Sequence, residues 1–142
     1  MNDAAPGPQP HLENMRAMVV SALGDRLASG VERYSDLFAE DALLEVPFDD
    51  GLRLEGKAAI DVHVRSLEGG IVLGPMAVTG SYDCGLDGIV LEYHGPVDDL
   101  VRGVRFHQTY ISVFRLAGGR LSLWREYLNP LLLPKNGRRD GR

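Results

Sequence analysis

A single cysteine, Cys84, excludes an intrachain disulfide framework and a cysteine-built zinc site. It reads as a small core or strand residue. No apolar run approaches the ~18 residues of a membrane span. Positive charge is scarce: 15 Lys and Arg stand against 20 Asp and Glu, for a formal net charge of −5. That balance argues against a general nucleic-acid or anionic-membrane binder. Only the C-terminal tail is locally basic, with Lys135, Arg138, Arg139 and Arg142. The four histidines show no His-x-x-x-His spacing, so no metal site is expected. No glycine-rich loop follows a strand and opens a helix, which disfavours a nucleotide fold. The first ten residues lack the basic and apolar regions of a signal peptide, and a cytoplasmic protein is the expectation.

What is present fits one soluble domain of 142 residues, 44% hydrophobic and 25% charged. Residues 1–10, with prolines at 6, 8 and 10, read as a flexible tail. The domain is expected over 11–133, and 134–142 is a second polar tail. From His11 to Ala28, Leu12, Met15, Val19, Ala22 and Leu23 recur at helical spacing. A short helix is expected over Val31–Leu37, and Glu40-Asp41 reads as a turn into a strand, Ala42–Val46. A third helix opens at Gly56-Lys57 and runs to about Leu67, with Ile60, His63, Val64 and Leu67 on one face. From Ile71 the period becomes two. Strands are expected at Met76–Tyr82, Gly88–His94, Val104–Leu116 and Arg120–Leu128. Gly95 to Gly103, with Pro96 and Asp98-Asp99, reads as a surface loop.

Helices followed by an antiparallel meander make an α+β layout rather than a parallel βαβ fold. A curved antiparallel sheet wrapped over three N-terminal helices leaves a cone with one open end, a natural ligand site. Strand alternation sorts its candidate lining. Trp124, Glu126 and Leu128 share a face of the last strand. Phe106, Gln108, Tyr110, Ser112 and Phe114 share a face of the strand before it. On the earlier strand, Val90, Glu92 and His94 oppose Ile89, Leu91 and Tyr93. Apolar walls with a few polar anchors are the composition of a small-molecule pocket. Glu126 stands out because a carboxylate among apolar neighbours must be solvated, paired or hydrogen-bonded, or else titrate near neutrality. Its bland alternative is an ion pair with an arginine on a neighbouring strand.

Leu37-Phe38-Ala39-Glu40-Asp41-Ala42, Val46-Pro47-Phe48 and Gly56-Lys57-Ala58-Ala59-Ile60 resemble the opening of the SnoaL-like branch of the nuclear transport factor 2-like superfamily. The closing run, Val113-Phe114-Arg115-Leu116 through Trp124-Arg125-Glu126-Tyr127-Leu128-Asn129-Pro130, is similar to the limonene-epoxide-hydrolase group and to ketosteroid-isomerase-like proteins of phenazine biosynthesis. The resemblance spans roughly residues 12–131. It implies a cone-shaped α+β barrel of cystatin-like topology, usually a homodimer through the sheet. The last-strand acid of the family falls on Glu126. The epoxide-hydrolase group has Asp there with an Arg-x-Asp pair on an earlier strand, where this chain has Glu92 and His94. That departure favours proton transfer over epoxide hydrolysis.

The expected function is therefore an isomerase, cyclase or dehydratase for an apolar carbonyl or polycyclic substrate of secondary metabolism. Glu126 moves the proton, and His94 or His63 holds the developing oxyanion. Glu92, Gln108, Tyr110, Trp124 and Ser112 are the expected substrate-binding residues. No cofactor and no metal are expected, since side chains suffice for the proton shuttle. A small apolar organic ligand is the expected partner. The alternatives are a non-catalytic binding or dimerisation module of the same fold, and an epoxide hydrolase variant with a water held between Glu126 and His94.

Overall fold

The computed structural model describes residues 10–23, 37–67 and 69–133. Helix α1 (Pro10–Leu23) is followed by strand β1 (Phe38–Val46), strand β2 (Leu52–Glu55), helix α2 (Lys57–Ser66), and strands β3 (Ile71–Leu73) and β4 (Ala77–Asp83). Three long strands complete the sheet: β5 (Gly88–Asp99), β6 (Val104–Ala117) and β7 (Arg120–Leu128). A 3-10 turn, Pro130–Leu132, follows. The expected tails, and most of the expected helix over Val31–Leu37, lie outside the described residues.

All seven strands form one sheet in the order β2-β1-β7-β6-β5-β3, with β4 also on the free edge of β5. Every pairing is antiparallel except β1 with β7, which is parallel. The sheet is thus mixed, where the expectation was fully antiparallel. The difference arises because β1 returns through helix α2 and the β3–β6 meander before β7 comes to lie beside it. The strongly curled sheet and its two described helices make the ketosteroid-isomerase-like α+β cone.

Helix α1 buries Leu12, Met15, Val19, Ala22 and Leu23, the five positions of its apolar stripe. Arg16 ties it to the sheet through Ser81 and Asp83 of β4. Helix α2 starts at Gly56, whose φ of 95° suits glycine and whose N–H donates to Ala42 O at 2.8 Å. It buries Ile60 and Val64 against the sheet and carries His63 on the same side. Phe38, Phe114 and Trp124 pack together in the core, with ring centroids 6.0 Å (Phe38–Trp124) and 4.8 Å (Phe114–Trp124) apart.

Two expected irregular segments are strand. Glu40 and Asp41 belong to β1, where a bulge between Phe38 and Leu43 absorbs the mismatch with β7. Gly95 to Asp99 extends β5, with Pro96 opposite His107 and Asp99 opposite Val104. Asp99 is only 3% exposed; it accepts hydrogen bonds from the Val101 and Arg102 N–H groups and from Arg102 Nε at 2.6 Å. The acid therefore closes the β5–β6 turn instead of solvating a loop.

Candidate functional site

The hollow of the cone holds two adjoining chambers, of about 110 Å³ and about 420 Å³. The larger lies within the usual range of small-molecule sites, roughly 300–1,000 Å³. Val46, His63, Leu67, Leu73, Tyr110 and Glu126 line both chambers and so mark their junction. Trp124 and Tyr93 wall the smaller one, and Asp49, Gln108 and the Asp99–Arg102 pair border the larger.

Glu126 reaches this junction because β7 lies between β1 and β6, with Glu126 directly opposite Ser112. The inward row continues through Leu91, which pairs with Ser112. Tyr93, one inward position further along β5, aims its hydroxyl back across this row. It donates to Glu126 Oε1 at 3.0 Å and lies 2.7 Å from Ser112 Oγ. A phenol has one hydrogen, so Ser112 donates to Tyr93 while Tyr93 donates to the carboxylate. The Tyr93 and Tyr110 rings stack with centroids 4.8 Å apart and an interplanar angle of 14°.

Burial raises the Glu126 carboxyl from 4.5 to about 7, opposed by hydrogen bonding from Tyr93 and the Trp124 indole and assisted by the charge of Asp49. The side chain retains some accessible surface, and the space it faces is the cavity. Tyr93 is held well above the usual phenol range, first by burial and next by the Glu126 charge, so it is a neutral donor at physiological pH. His63, half-buried on α2, is pushed below 6.5 by burial, against the pull of Asp49. It is a neutral imidazole at neutral pH.

No arginine stands at ion-pair distance from Glu126 among the described residues. Its chain neighbour Arg125 points to the outer face and pairs with Glu45 at 2.7 Å.

The expected site residues separate into two groups. Glu126, His63, Tyr110, Trp124 and Gln108 line the cavity. Ser112 lies behind the wall, fully buried, and reaches the site through Tyr93. Gln108 has its amide committed to backbone: Oε1 accepts from the Thr109 and Asn129 N–H groups, and Nε2 donates to Asn129 O. His94 and Glu92 do not join them. Their strand turns Ile89, Leu91 and Tyr93 inward, leaving Glu92 bonded to Tyr82 and His94 beside His107 on the outer face. The burial of three large apolar side chains outweighs that of one His and one Glu, so the apolar parity wins the interior. Tyr93 is the residue the sequence reading missed, and that alternation was its signal.

No protein-family profile matches the chain. It is 31% identical over 101 residues to an uncharacterized PhzA/B-like protein of Pseudomonas aeruginosa, an alignment covering 69% of this chain and 72% of that relative. The chain belongs to the PhzA/B-like family. The PhzA/B-like chain superposes on a phenazine biosynthesis-related protein from P. aeruginosa with a TM-score of 0.72 at 16% identity, covering 92% of this chain and 85% of the other. An LEH-like epoxide hydrolase from M. tuberculosis gives a TM-score of 0.67 at 16% identity, covering 85% and 84%. These likenesses establish the fold of the PhzA/B-like chain. Among its described residues no helix is long and apolar enough to cross a membrane.

Proposed function

We propose that this protein is a cofactor-independent acid–base isomerase, cyclase or dehydratase acting on an apolar carbonyl or polycyclic small molecule. The observation that carries the reading is Glu126: a carboxyl poised at about 7 where two chambers of an apolar cavity meet. An acid titrating near the working pH accepts and returns protons with the least mismatch.

In this reading the Glu126 carboxylate removes a proton from the carbon beside the substrate carbonyl. The electron pair of that C–H bond moves onto the carbonyl oxygen. His63, neutral and across the cavity, donates a hydrogen bond to the developing oxyanion. Glu126 then returns its proton to a second carbon of the conjugated system. Tyr93 donates to Oε1 and so fixes the carboxylate at the cavity wall. Trp124 and the stacked tyrosines supply flat apolar walls suited to a ring system.

Solved proteins of this fold include one with a ketosteroid-isomerase-like fold and one described as a SnoaL-like polyketide cyclase, and their descriptions are compatible with such chemistry. A hydrolase arrangement with water held between Glu126 and His94 is not available, since the two lie on opposite faces of the sheet. The test is turnover of a panel of cyclic ketones, enones and epoxides by wild type and Glu126→Gln. A loss of about 10²–10⁴-fold on an accepted ketone or enone is expected. Unchanged turnover would remove Glu126 as the proton carrier.

A further inference from the structure

We propose that His94 and His107 form a two-imidazole binding site for a divalent transition-metal ion, Cu²⁺, Ni²⁺ or Zn²⁺, on the outer face of the sheet. The two residues are 13 apart in the chain but adjacent in space. His94 opposes Thr109 and His107 opposes Pro96, which makes them diagonal neighbours across the β5–β6 ladder. Their ring centroids are 4.8 Å apart, tilted by 44°, and His94 Nδ1 lies 2.6 Å from His107 Nε2. The two near nitrogens share a hydrogen bond, and the ion would take the place of that hydrogen.

Two imidazole nitrogens on one metal, each at about 2.0–2.1 Å, stand about 2.9–3.4 Å apart at ordinary coordination angles. Small side-chain rotations open the present pair to that separation. Displacing the hydrogen shared between the near nitrogens frees a lone pair on each of them for the ion. The base is stiff: twelve consecutive β5–β6 pairs run without a shift in register.

The surroundings favour a cation without supplying further ligands. Glu92 and Asp98 lie on the same face of β5, two residues from His94 and from Pro96. As placed, Glu92 accepts a hydrogen bond from Tyr82 at 2.8 Å, and Asp98 pairs with Arg105 at 3.1 Å. Thr109 and, from β4, Ala77 complete the facing positions. Among the described residues no three metal-ligating side chains converge, so the remaining coordination positions belong to water. Imidazole donors select Cu²⁺ first, then Ni²⁺ and Zn²⁺, and give oxygen-seeking Mg²⁺ no hold.

The test is calorimetric titration of the full chain with CuSO₄, NiCl₂, ZnCl₂ and MgCl₂ near neutral pH, for wild type, His94→Asn and His107→Asn. Both side chains lie on the outer face, so neither change removes core packing. One site per chain is expected, tightest for Cu²⁺ and silent for Mg²⁺, with each variant at least ~10-fold weaker because one imidazole remains. Substoichiometric Cu²⁺ should broaden the NMR signals of His94, His107 and Thr109 and spare His63. Equal affinity in wild type and both variants, broadening centred elsewhere, or no saturable binding below about 1 mM would overturn the site.

Discussion

Replacing Glu126 with Gln keeps the shape of the side chain and an acceptor for the Tyr93 hydroxyl, and removes only the ionisation. Its effect on stability follows from linkage. In the unfolded chain this carboxyl releases its proton near 4.5; in the fold it does so at about 7. Between those values the native state binds more protons than the unfolded state, so stability falls as pH rises through the window. Below 4.5 both states are protonated and no penalty exists. Above 7 the penalty is complete. At about 1.4 kcal/mol for each pH unit of displacement, it is roughly 3.5 kcal/mol, and water in the cavity reduces it to about 2–3 kcal/mol. Glu126→Gln should therefore match wild type at pH 4 and exceed it by about 2–3 kcal/mol at pH 8. Urea denaturation at half-unit pH steps measures the difference. A carbon-13 titration of the Glu126 carboxyl locates its midpoint directly. A difference that does not vary with pH, or a wild type more stable at pH 8, would refute the poised carboxyl and the proton-transfer reading with it.

Tyr93→Phe removes the donor that favours the Glu126 carboxylate, so the Glu126 midpoint should move above 7, with a stability loss of about 1–2 kcal/mol. The rise of activity with pH should move the same way. Asp49→Asn removes a negative charge that raises both Glu126 and His63, so both midpoints should fall, which carbon-13 and histidine proton titrations would separate. Asp99 is covered by its own turn but lies near the surface, so solvent screens its pairing with Arg102. Asp99→Asn should cost about 1 kcal/mol at pH 7. Arg102 holds the Asp99 carboxyl below 3.8 in the fold. The contribution is thus fully present above 3.8 and should fade as pH falls through the lower folded value, read by denaturation in steps downward from pH 7.

Much of the architecture was legible because burial and periodicity agree along most of the chain. The stripe of α1, the inward row Gln108–Tyr110–Ser112–Phe114 and the inward Trp124–Glu126 pair all followed from spacing. His63 was placed on the face of α2 that meets the cavity. On β5, Glu92 and His94 were weighed as chemistry while Ile89, Leu91 and Tyr93 were only their opposites, although hydrophobic burial decides which parity faces the core. Pro96 and the Asp98-Asp99 pair suggested a loop, yet the register with β6 continues past them and buries Asp99. The parallel contact of β1 with β7 left no local mark, because it joins segments about eighty residues apart. The His94–His107 contact escaped because spacing rules written for helices do not see across a strand ladder.

That parallel contact also sets when the site can first exist. The acid-bearing strand is the last of the seven to leave the ribosome and must slot between two that are already made. Until it does, β1 and β6 present open edges to water, and the hollow has neither its floor nor its acid. Such distant pairing is slow to find, and exposed edges invite association while the search lasts. Any truncation upstream of Arg120 should therefore yield a sticky chain that lacks the hollow altogether.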